Sequence, residues 1–456
     1  MPQDLNAVTS PPGAISGPPG VNLTEDSLTK SPSVETESVT RGGPSAKCRR
    51  AWSWERWLIE RVYQRAGRPR LGIELWDGTV IGEPQSSVGR IVMTNPRVLR
   101  RLAWNTNLAF GECHSDGSLQ VVGDLREVLL EVNRGLSRAR GQRPLRRWIA
   151  RSHSLENSKS SVHHHYDLGN DFYKLWLDDQ LVYTCAYYAQ PDLDLHQAQL
   201  AKLDYVCRKL RLQPGERVVE AGCGWGALAM HMARHYGVTV QAYNLSTEQI
   251  EHAKTWAAAE GLGDRVQFCQ ADYRQMTGQF DVFVSVGMLE HVGLEQYPAM
   301  GQLMSRVLTP AGRGLIHTIG RNISRPLDPW TDKYIFPGAH PPTLGEMMSL
   351  FEESGFSVLD VENLRMHYAR TCADWLHRFD QVADQVERMF DARFVRMWRL
   401  YLAASSATFE TGDLQLFQVV FARAENNSLP WTRADWYADS DAIRDSGLAE
   451  PLPWKP

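Results

Sequence analysis

From about Gln213 onward, short apolar runs alternate with glycine-rich turns and with amphipathic stretches long enough for helices. The runs are ERVVEAGCGWG, VTVQAYNLS, VQFCQADY and FDVFVSVGMLEH, and helices are expected through Tyr236 and through Gly261. Strands that alternate with helices of this length are typical of a parallel sheet. Pro310 and Gly312 are expected to break the chain before a further strand, GLIHTIG. The pattern therefore predicts an α/β fold.

Two other patterns precede this region. Residues 1–46 are rich in Pro, Gly, Ser and Thr and poor in large apolar side chains, so we expect a disordered tail. From Trp52 to about Val132, the short runs LGIELWDG, SVGRIVMTNP and SLQVVGDL surround a helical segment, RVLRRLAWN, and predict a small α+β domain. The expected division is a tail at 1–46, an amino-terminal domain with an Arg-rich linker at 52–150, the α/β domain at 155–425 and a carboxyl-terminal extension at 426–456.

Positive charge is concentrated between residues 134 and 151. Seven arginines occur there without an acidic residue, and apolar residues are interleaved; the arginines are Arg134, Arg138, Arg140, Arg143, Arg146, Arg147 and Arg151. Such a stretch suits an anionic membrane surface, and a solvated helix and linker is the alternative. Because the whole chain has 49 Lys and Arg against 53 Asp and Glu, a general nucleic-acid binder is not expected.

Compartment and metal content follow from simple sequence features. No stretch contains the roughly 18 consecutive apolar residues of a membrane-spanning helix, and a secretory signal pattern is absent, so we expect a cytoplasmic protein. The seven cysteines form no C-x-x-C pair, which disfavours a disulfide framework and a zinc site. Three consecutive histidines, at 163–165, cannot easily all face one ion, and no metal is expected.

A glycine-rich turn, in VVEAGCGWGALA, follows the first apolar strand. Gly222, Gly224 and Gly226 let a ligand approach the backbone closely. Their G-x-G-x-G spacing differs from the G-x-G-x-x-G of dinucleotide-binding folds and resembles the nucleoside-binding turn of class I methyltransferases. A tight structural turn is the alternative.

Polar residues follow the next two strands. Asn244 ends the second strand within NLSTEQ, and Asp272 ends the third within ADY. Ligands of such sheets bind outside the carboxyl ends of the strands, where ribose hydroxyls need an acceptor at the second strand and the adenine amino group needs one at the third. Asn244 stands where methyltransferases commonly have an acidic residue, so Asp272 is the firmer candidate. Gln249, at the start of the following helix, is an additional polar candidate.

Eight motifs in a fixed order point to a family. They are HHHYDLGNDFYKLWLDDQLVYTCAY, EAGCGWG, NLSTEQ, SVGMLEHVG, HTIG, WTDKYIFPG, NLRMHYARTCADW and LQLFQVVFAR. Over about residues 160–423 the chain resembles the cyclopropane-fatty-acyl-phospholipid synthase family, which includes the mycolic acid cyclopropane synthases and methyltransferases. Residues 52–150 resemble, more weakly, the amino-terminal lipid-associated domain of the bacterial phospholipid-acting members. Because the shorter mycolic-acid enzymes lack that domain, a phospholipid substrate is favoured.

The resemblance implies a class I methyltransferase core of the Rossmann-like type, with a helical insertion around residues 325–415 that roofs an acyl pocket. It implies S-adenosylmethionine as cofactor and, as substrate, the cis double bond of an unsaturated phospholipid acyl group, reached by peripheral association with the inner face of the membrane. Association into a homodimer is a further expectation. The implied cofactor contacts are Tyr183, Thr184, Gly222, Gly224, Asn244, Gln249, Asp272 and Tyr273.

The chemistry of an isolated alkene makes two demands on such a site. The alkene is a weak nucleophile, so the sulfonium methyl group must be presented in line with it in a pocket without water. The attack leaves a carbocation, which aromatic faces can stabilise. The aromatic candidates within the matching motifs, each of which more often simply packs, are Tyr187, Tyr188, Tyr334, Phe336, Tyr368 and Trp375.

Ring closure also needs a base to remove a proton from the bridging methyl group. The family attributes this role to a bound bicarbonate ion, and by motif its binding residues here are Cys185, Glu290, His317, Ile319 and Tyr368. The thiol, imidazole and phenol can donate hydrogen bonds to an anion, Ile319 can contribute its backbone amide, and Glu290 can orient the group. A covalent role for a Cys185 thiolate is not needed, because the transfer can occur in one displacement.

Alternatives remain open from the sequence. By residue type alone, Cys185 is an ordinary buried cysteine and His317 a strand-end histidine whose hydrogen bonds are satisfied, and only their joint occurrence in ordered motifs favours the binding site. Three other functions are methylation of an acyl carbon that gives a branched or methylene product without ring closure, N-methylation of a small molecule, and lipid binding without catalysis.

Overall fold

The computed structural model describes residues 49–82, 86–139 and 168–437, with only the backbone described at 136–139. Several expectations from the sequence fall outside these ranges. They concern the tail at 1–46, the Arg-rich stretch from Arg140 to Arg151, the three histidines at 163–165 and the end of the chain after Tyr437.

An amino-terminal α+β unit has a four-stranded sheet of its own, in the order β2-β1-β3-β4. Its elements are α1 (Ser53–Arg65), β1 (Gly72–Glu74), β2 (Val80–Gly82), β3 (Gly89–Met93), α2 (Pro96–Trp104), α3 (Thr106–Ser115), β4 (Leu119–Gly123) and α4 (Leu125–Ala139). Alternating side chains of β3 and β4 and one face of each helix enclose a separate apolar core, which includes Ile59, Leu71, Leu99 and Val128. The small α+β fold predicted from the alternating runs is confirmed.

A seven-stranded sheet forms the centre of the remaining chain, in the order β10-β11-β9-β8-β5-β6-β7. Its strands are β5 (Arg217–Ala221), β6 (Thr239–Asn244), β7 (Val266–Gln270), β8 (Phe280–Val286), β9 (Leu308–Gly320), β10 (Phe356–Asn363) and β11 (Gln415–Arg423). Strands β5 to β9 pair in parallel, whereas β11 is antiparallel to both β9 and β10. The predicted α/β class, with a Rossmann-like core, is confirmed.

Helices cover this sheet and form an additional layer at one end of it. They are α5 (Asn170–Lys174), α6 (Leu195–Leu210), α7 (Ala227–Tyr236), α8 (Thr247–Ala259), α9 (Tyr297–Val307), α10 (Pro329–Tyr334), α11 (Leu344–Met347), α12 (Arg365–Gln381), α13 (Ala383–Met389), α14 (Ala392–Glu410) and α15 (Ala434–Tyr437). Short 3-10 turns occur at Tyr273–Gln275, Leu289–His291, Leu294–Gln296 and Met348–Leu350.

The insertion predicted around residues 325–415 is only partly helical. Within it, Phe356–Asn363 is strand β10, at the edge of the large sheet. Its outward side chains Leu359 and Val361 are 37% and 39% exposed, as expected for a strand with one covered face. The helical part of the insertion is therefore α10 and α11 before this strand and α12 to α14 after it.

Strand β9 begins earlier than predicted and includes Pro310 and Gly312. These residues were expected to break the chain, and they disturb the pairing without ending the strand. Phe280 of β8 pairs with Leu308, whereas Val282 pairs with Arg313, so β9 bulges between these positions. The regular part of β9 that follows carries His317 and Ile319.

The amino-terminal unit packs on the helical layer. Leu129 and Leu130 of α4 enter the apolar cluster of α12 and α14. Tyr334 of α10 donates a hydrogen bond from its hydroxyl to Glu112 of α3 (2.8 Å). In addition, Arg126 of α4 donates to the Ser406 hydroxyl (2.9 Å). The amino-terminal unit thus contacts the helices that were expected to roof the acyl pocket.

Gly226, at the start of α7, is a position where the fold requires glycine. It has φ +94°, and a Cβ atom there would lie 2.7 Å from the ring of Phe268 in β7. We expect Gly226→Ala to lower the free energy of unfolding by about 2 to 4 kcal/mol, because it combines backbone strain with overpacking. Urea unfolding followed by circular dichroism measures this change.

Gly261→Ala is the matched control, because Gly261 has φ +66° with no atom within 4 Å of an added Cβ. The free energy of unfolding of this variant should fall by only about 1 kcal/mol, because backbone strain is the one cost. Equal losses in the two variants would show that the Phe268 ring does not restrict position 226.

Candidate active site

A cleft opens at the carboxyl ends of β5, β6 and β7, with about 540 Å³ of empty space including its mouth. Four of the eight predicted cofactor residues line it, namely Gly222, Asn244, Asp272 and Tyr273. The sequence reasoning missed the other lining residues, which are Tyr243, Leu245, Ala271, Arg274, Met288, His291 and Val292. Ligands of open parallel sheets bind at this edge.

The glycine-rich turn leaves room for a ligand at one position in particular. Gly224 has φ +53°, and a Cβ atom built on it would meet no other atom within 4 Å. In contrast, a Cβ on Gly222 would lie 2.9 Å from Cβ of Met288. The backbone at Gly224 is therefore open to close approach, while Gly222 allows Met288 to pack at the inner side of the cleft.

Asn244 and Gln249 form one hydrogen-bonded unit. Asn244 donates from Nδ2 to Gln249 Oε1 (2.7 Å) and to the Gly224 carbonyl (3.2 Å), and its Oδ1 accepts from the Leu245 amide (2.8 Å). Gln249 is buried, and its Nε2 has no partner within the described residues. Asn244 thus orients Gln249, which keeps a donor for a ligand. The role of Asn244 as a contact to the ribose stays a prediction.

Asp272 is bound by its neighbour Arg274, which the sequence reasoning did not include. The guanidinium donates from Nε to Oδ1 and from Nη2 to Oδ2, each over 2.7 Å, and the Arg274 amide donates to Oδ1 over 2.9 Å. Asp272 can accept a hydrogen bond from an adenine amino group only with the lone pairs of its carboxylate that Arg274 leaves unused. Tyr273 lies beside it, and burial raises the pKa of its phenol to about 12.

Tyr183 and Thr184 do not line the cleft but lie farther inside. The hydroxyl groups of Tyr183 and Tyr401 share a hydrogen bond (2.8 Å). Thr184 Oγ1 accepts from Nζ of Lys202 (2.8 Å). A Cβ on Gly287, which precedes the cleft residue Met288, would lie 2.9 Å from Thr184 Cγ2. Thr184 therefore lies close to the inner end of the cleft.

Glu290 is a buried carboxyl group in the 3-10 turn after β8. Its Oε1 accepts the backbone N–H of Ile319 (2.6 Å), whereas Oε2 is buried without a hydrogen-bond partner within the described residues. Burial raises the pKa of Glu290 to about 7, against smaller lowering by backbone hydrogen bonds and by the side chain of Thr318. The carboxyl group can therefore hold or release a proton near neutral pH.

The Ile319 amide was expected to donate directly to a bound anion. In the structure it donates to Glu290 instead, because the carboxylate is the acceptor that β9 faces at this point. The side chain of Ile319 packs on the apolar cluster around Cys185. Ile319 thus fixes Glu290 in the structure, and its donation to a bound anion stays a prediction.

His317 is a buried imidazole in β9. Gln418, its cross-strand neighbour in β11, donates from Nε2 to His317 Nδ1 (3.0 Å), which leaves the ring proton on Nε2. Nε2 is buried and has no partner in the described part of the protein. Burial, with a smaller effect of Lys202 and Lys209, holds the pKa of His317 well below its usual value. His317 is a neutral ring with one N–H to donate.

Cys185 is fully buried, and its Sγ donates to the Ala186 carbonyl (3.2 Å). Burial raises the pKa of this thiol far above its usual value, so that it stays protonated. A nucleophilic thiolate is disfavoured, since reactive cysteines have lowered pKa values.

Tyr368 of α12 stacks on Phe409, with ring centroids 4.4 Å apart, and meets Trp375 edge-on at 6.0 Å. Burial raises the pKa of its phenol well above the usual value. The groups Cys372, Tyr401, Cys185 and Glu290 raise this pKa further, each by less than burial does. Tyr368 and Cys185 belong to one apolar cluster, and Ile319, which donates to Glu290, packs against it. Residues from separate motifs therefore meet around this cluster.

The six aromatic candidates all belong to the apolar cluster around Cys185 or pack against it. Two have structural hydrogen bonds, because Tyr188 donates to Asp374 (2.7 Å) and Tyr334 to Glu112. Tyr187 stacks on Tyr205 with centroids 4.3 Å apart. The remaining three, Phe336, Tyr368 and Trp375, make ring contacts with their neighbours. This aromatic, apolar cluster reaches the cleft through Phe336, whose ring lies 5.9 Å from that of the cleft residue His291.

Lys202 and Glu220 are buried charged residues that no motif singled out for a role. Both are 2% exposed, and Lys202 binds the predicted cofactor residue Thr184. One sequence signal could have found Lys202. It follows Ala198 and precedes Tyr205 at helical spacing, on the buried face of α6, where an unpaired lysine is unusual.

Comparison with known proteins gives consistent matches. Residues 153–419 match the family described as mycolic acid cyclopropane synthetase. The sequence is 35% identical over 381 residues to a probable fatty acid methyltransferase of Pseudomonas putida, covering 80% of this chain and 96% of that protein. It is 36% identical over 372 residues to the cyclopropane-fatty-acyl-phospholipid synthase of Escherichia coli (strain K12), covering 79% and 94%. A solved structure, mycolic acid cyclopropane synthase CmaA1 complexed with SAH and CTAB, matches with a TM-score of 0.55 at 30% identity, covering 58% of this chain and 98% of that protein.

The raised pKa of Glu290 predicts a pH-dependent stability. A carboxyl group with a folded pKa of about 7 and an ordinary value of 4.5 stabilises the fold below pH 4.5, and this contribution is lost as the pH rises through 7. Gln at this position keeps an acceptor for the Ile319 amide and does not titrate. Relative to Glu290→Gln, the wild type should lose ~2–3 kcal/mol of unfolding free energy between about pH 5 and pH 8. Urea unfolding across this range tests it, and a constant difference would contradict the buried, neutral carboxyl group.

Proposed function

The chain belongs to the mycolic acid cyclopropane synthetase family and is an S-adenosylmethionine-dependent methyltransferase of the cyclopropane-synthase type, and on that premise we propose its reaction. It adds a methylene group to the cis double bond of unsaturated phospholipid acyl groups, which become cyclopropane acyl groups. The observation that carries the proposal is that Glu290 and His317 are both buried, each with one polar atom that has no partner among the described residues. Ile319, which donates to Glu290, packs against an aromatic, apolar cluster, and acid–base groups beside such a cluster suit proton removal next to a carbocation.

Two predicted residues that do not line the cleft, but that hydrogen-bond to the lining residue Asn244, suit the nucleoside part of the cofactor. Gly224 offers an open backbone, and Gln249 keeps an unpaired amide donor. When bound, S-adenosylmethionine supplies an electrophilic methyl group. Below the cleft, Trp375 and Tyr368 exclude water and present ring faces to positive charge. Cys185 remains a neutral thiol in this proposal.

The donor set fits a small anion such as bicarbonate, which would supply the base. His317 can donate from Nε2, and the Tyr368 phenol remains protonated and able to donate. Glu290 can share a proton with the anion at Oε2, since its pKa is near 7. Cys185 contributes less than expected from the motif, because its Sγ–H is directed to the Ala186 carbonyl.

Two observations favour a phospholipid acyl group as the substrate. The match to the Escherichia coli phospholipid synthase covers 79% of this chain, whereas the match to CmaA1 covers 58%. The amino-terminal unit also contacts α10, in the motif WTDKYIFPG. Methyl addition without ring closure is the second candidate, favoured by the name of the Pseudomonas putida relative.

Product analysis tests this proposal. Purified enzyme, S-adenosylmethionine and vesicles of dioleoyl phospholipid should give acyl groups that are heavier by one CH2 unit. These products should contain no double bond, so mild hydrogenation of alkenes should leave their mass unchanged. Glu290→Gln should lower kcat by roughly 100-fold or more, in the range lost with a general acid–base group, while S-adenosylhomocysteine binds nearly as well. The exposed Glu353→Gln is the matched control and should retain full activity. A saturated branched or an exocyclic methylene product would refute ring formation, and full activity of Glu290→Gln would refute its role.

We also propose that the amino-terminal unit binds the membrane surface. Within the described residues, none of the helices is both long and apolar enough to cross a bilayer. At the start of α1, however, Trp52, Trp54 and Trp57 are 55%, 50% and 58% exposed. Guanidinium groups lie over two of these rings, Arg49 at 4.0 Å from Trp52 and Arg61 at 5.1 Å from Trp57. Exposed tryptophans beside cations suit the interface of a membrane with anionic headgroups.

Vesicle binding tests this surface. The double substitution of Trp54 and Trp57 by Ser should lower the affinity for phosphatidylglycerol-containing vesicles, measured by co-sedimentation, by about 10-fold or more. The reason is that the apolar contact of each exposed ring with the lipid is lost. Trp431→Ser is the matched control, because Trp431 is 86% exposed near the other end of the described residues. Equal binding by the wild type and the double variant would rule out this site on α1.

A further inference from the structure

Helix α3 of the amino-terminal unit packs directly on helix α10. A Cβ atom added to Gly111 of α3 would lie 2.3 Å from the Trp330 ring of α10. Trp330 is only 5% exposed, so the contact is part of the protein interior. Glycine weakens the interior of a helix, and its presence in α3 is explained by this close approach of the two helices.

The next residue of α3, Glu112, binds the end of α10 by hydrogen bonds. Its Oε1 accepts from the Tyr334 hydroxyl (2.8 Å) and from Nζ of Lys333 (3.0 Å). Its Oε2 accepts from Nη2 of Arg101 (3.1 Å), within the amino-terminal unit. Burial by itself would raise the pKa of Glu112, but these hydrogen bonds together hold it below its usual value. Glu112 is therefore a charged carboxylate at neutral pH that joins α3 to α10.

The stretch of chain after α10 reaches the proposed acid–base site. The Phe336 amide donates to the Thr331 carbonyl (2.9 Å), so α10 fixes the start of this stretch. The Phe336 ring then packs near that of His291, next to Glu290. Four residues later, the His340 amide donates to the backbone carbonyl of Glu290 (2.7 Å). The stretch thus contacts the turn that carries Glu290 through both a side chain and the backbone.

We propose that Glu112 is a positioning residue for turnover, which acts through α10 to hold the turn that carries Glu290 in place for proton removal. The proposal rests on the role proposed above for Glu290. A displacement of about 1 Å at an acid–base group can lower a rate by about 100-fold, so the support of this turn matters for catalysis. The amino-terminal unit then serves the reaction itself in addition to binding lipid.

Steady-state kinetics of the full chain test this role, with release of S-adenosylhomocysteine on vesicles of dioleoyl phosphatidylglycerol as the measure of turnover. Glu112→Ala removes the acceptor for Tyr334 and Lys333, while Arg101 keeps its ion pair with Asp116. It should lower kcat by about 10-fold, because the turn loses part of its support. The KM for lipid, co-sedimentation with the vesicles and S-adenosylhomocysteine binding should each change by less than about 2-fold.

The conservative variant and a second contact serve as controls. Glu112→Gln keeps an oxygen acceptor for the Tyr334 hydroxyl and should keep kcat within about 3-fold of the wild type. Arg126→Met removes contacts between the amino-terminal unit and α14, at Ser406 and Glu410, and leaves α10 untouched. Its kcat should stay within about 2-fold of the wild type.

Three results overturn the proposal. They are an unchanged kcat in Glu112→Ala, an equal loss of kcat in Arg126→Met, and a loss confined to KM or to vesicle binding. If Glu112→Ala does not fold, Tyr334→Phe decides in its place, because it removes one hydrogen bond to Glu112 and keeps the ring. Its kcat should fall by about 3-fold or more, and an unchanged kcat has the same overturning force.

The two proposals fail in different ways. Full activity of Glu290→Gln refutes the premise, whereas an unchanged kcat of Glu112→Ala beside an inactive Glu290→Gln refutes only the role of Glu112. Released S-adenosylhomocysteine counts every methyl transfer, so the comparison of variants does not depend on whether the product is a ring or a branch.

Discussion

One oxygen of Glu290 accepts the amide of Ile319, and the other oxygen is held in a buried position without a partner among the described residues. This contact joins the turn after β8 to β9 and places a titratable group beside aromatic side chains. The same stretch of β9 carries His317, and β11 fixes its ring through Gln418. The positions of Glu290 and His317 thus depend on the pairing of β8, β9 and β11 in the sheet.

The charged groups and the apolar side chains of the site occupy two different regions. Polar and charged groups, among them Glu220, Asn244 and Asp272, lie along the carboxyl ends of β5 to β7. The helical layer then supplies a cluster rich in Tyr, Phe and Trp around Cys185. A sulfonium methyl group held between these regions would face the apolar cluster, as the proposed attack by an alkene without water requires.

Local features made much of this fold predictable from the sequence. The alternation of apolar strands and helices predicted β5 to β8, and glycine spacing predicted the turn at Gly224, because both signals depend on neighbouring residues. Hydrogen-bond partners were less predictable. The pairing of Asp272 with Arg274, and of the Ile319 amide with Glu290, is decided by which acceptor the folded backbone faces. Strand β10 was assigned to a helical insertion, since its role as an edge strand appears only once β11 pairs with it.

Proton removal from the transferred carbon is the central claim, and isotope transfer measures it most directly. With S-adenosylmethionine that carries a trideuteromethyl group and vesicles of dioleoyl phospholipid, each modified acyl group should retain two deuterium atoms and contain no double bond. Retention of all three deuterium atoms would show that the methyl group is never deprotonated. That result would contradict a base acting beside Glu290 and His317.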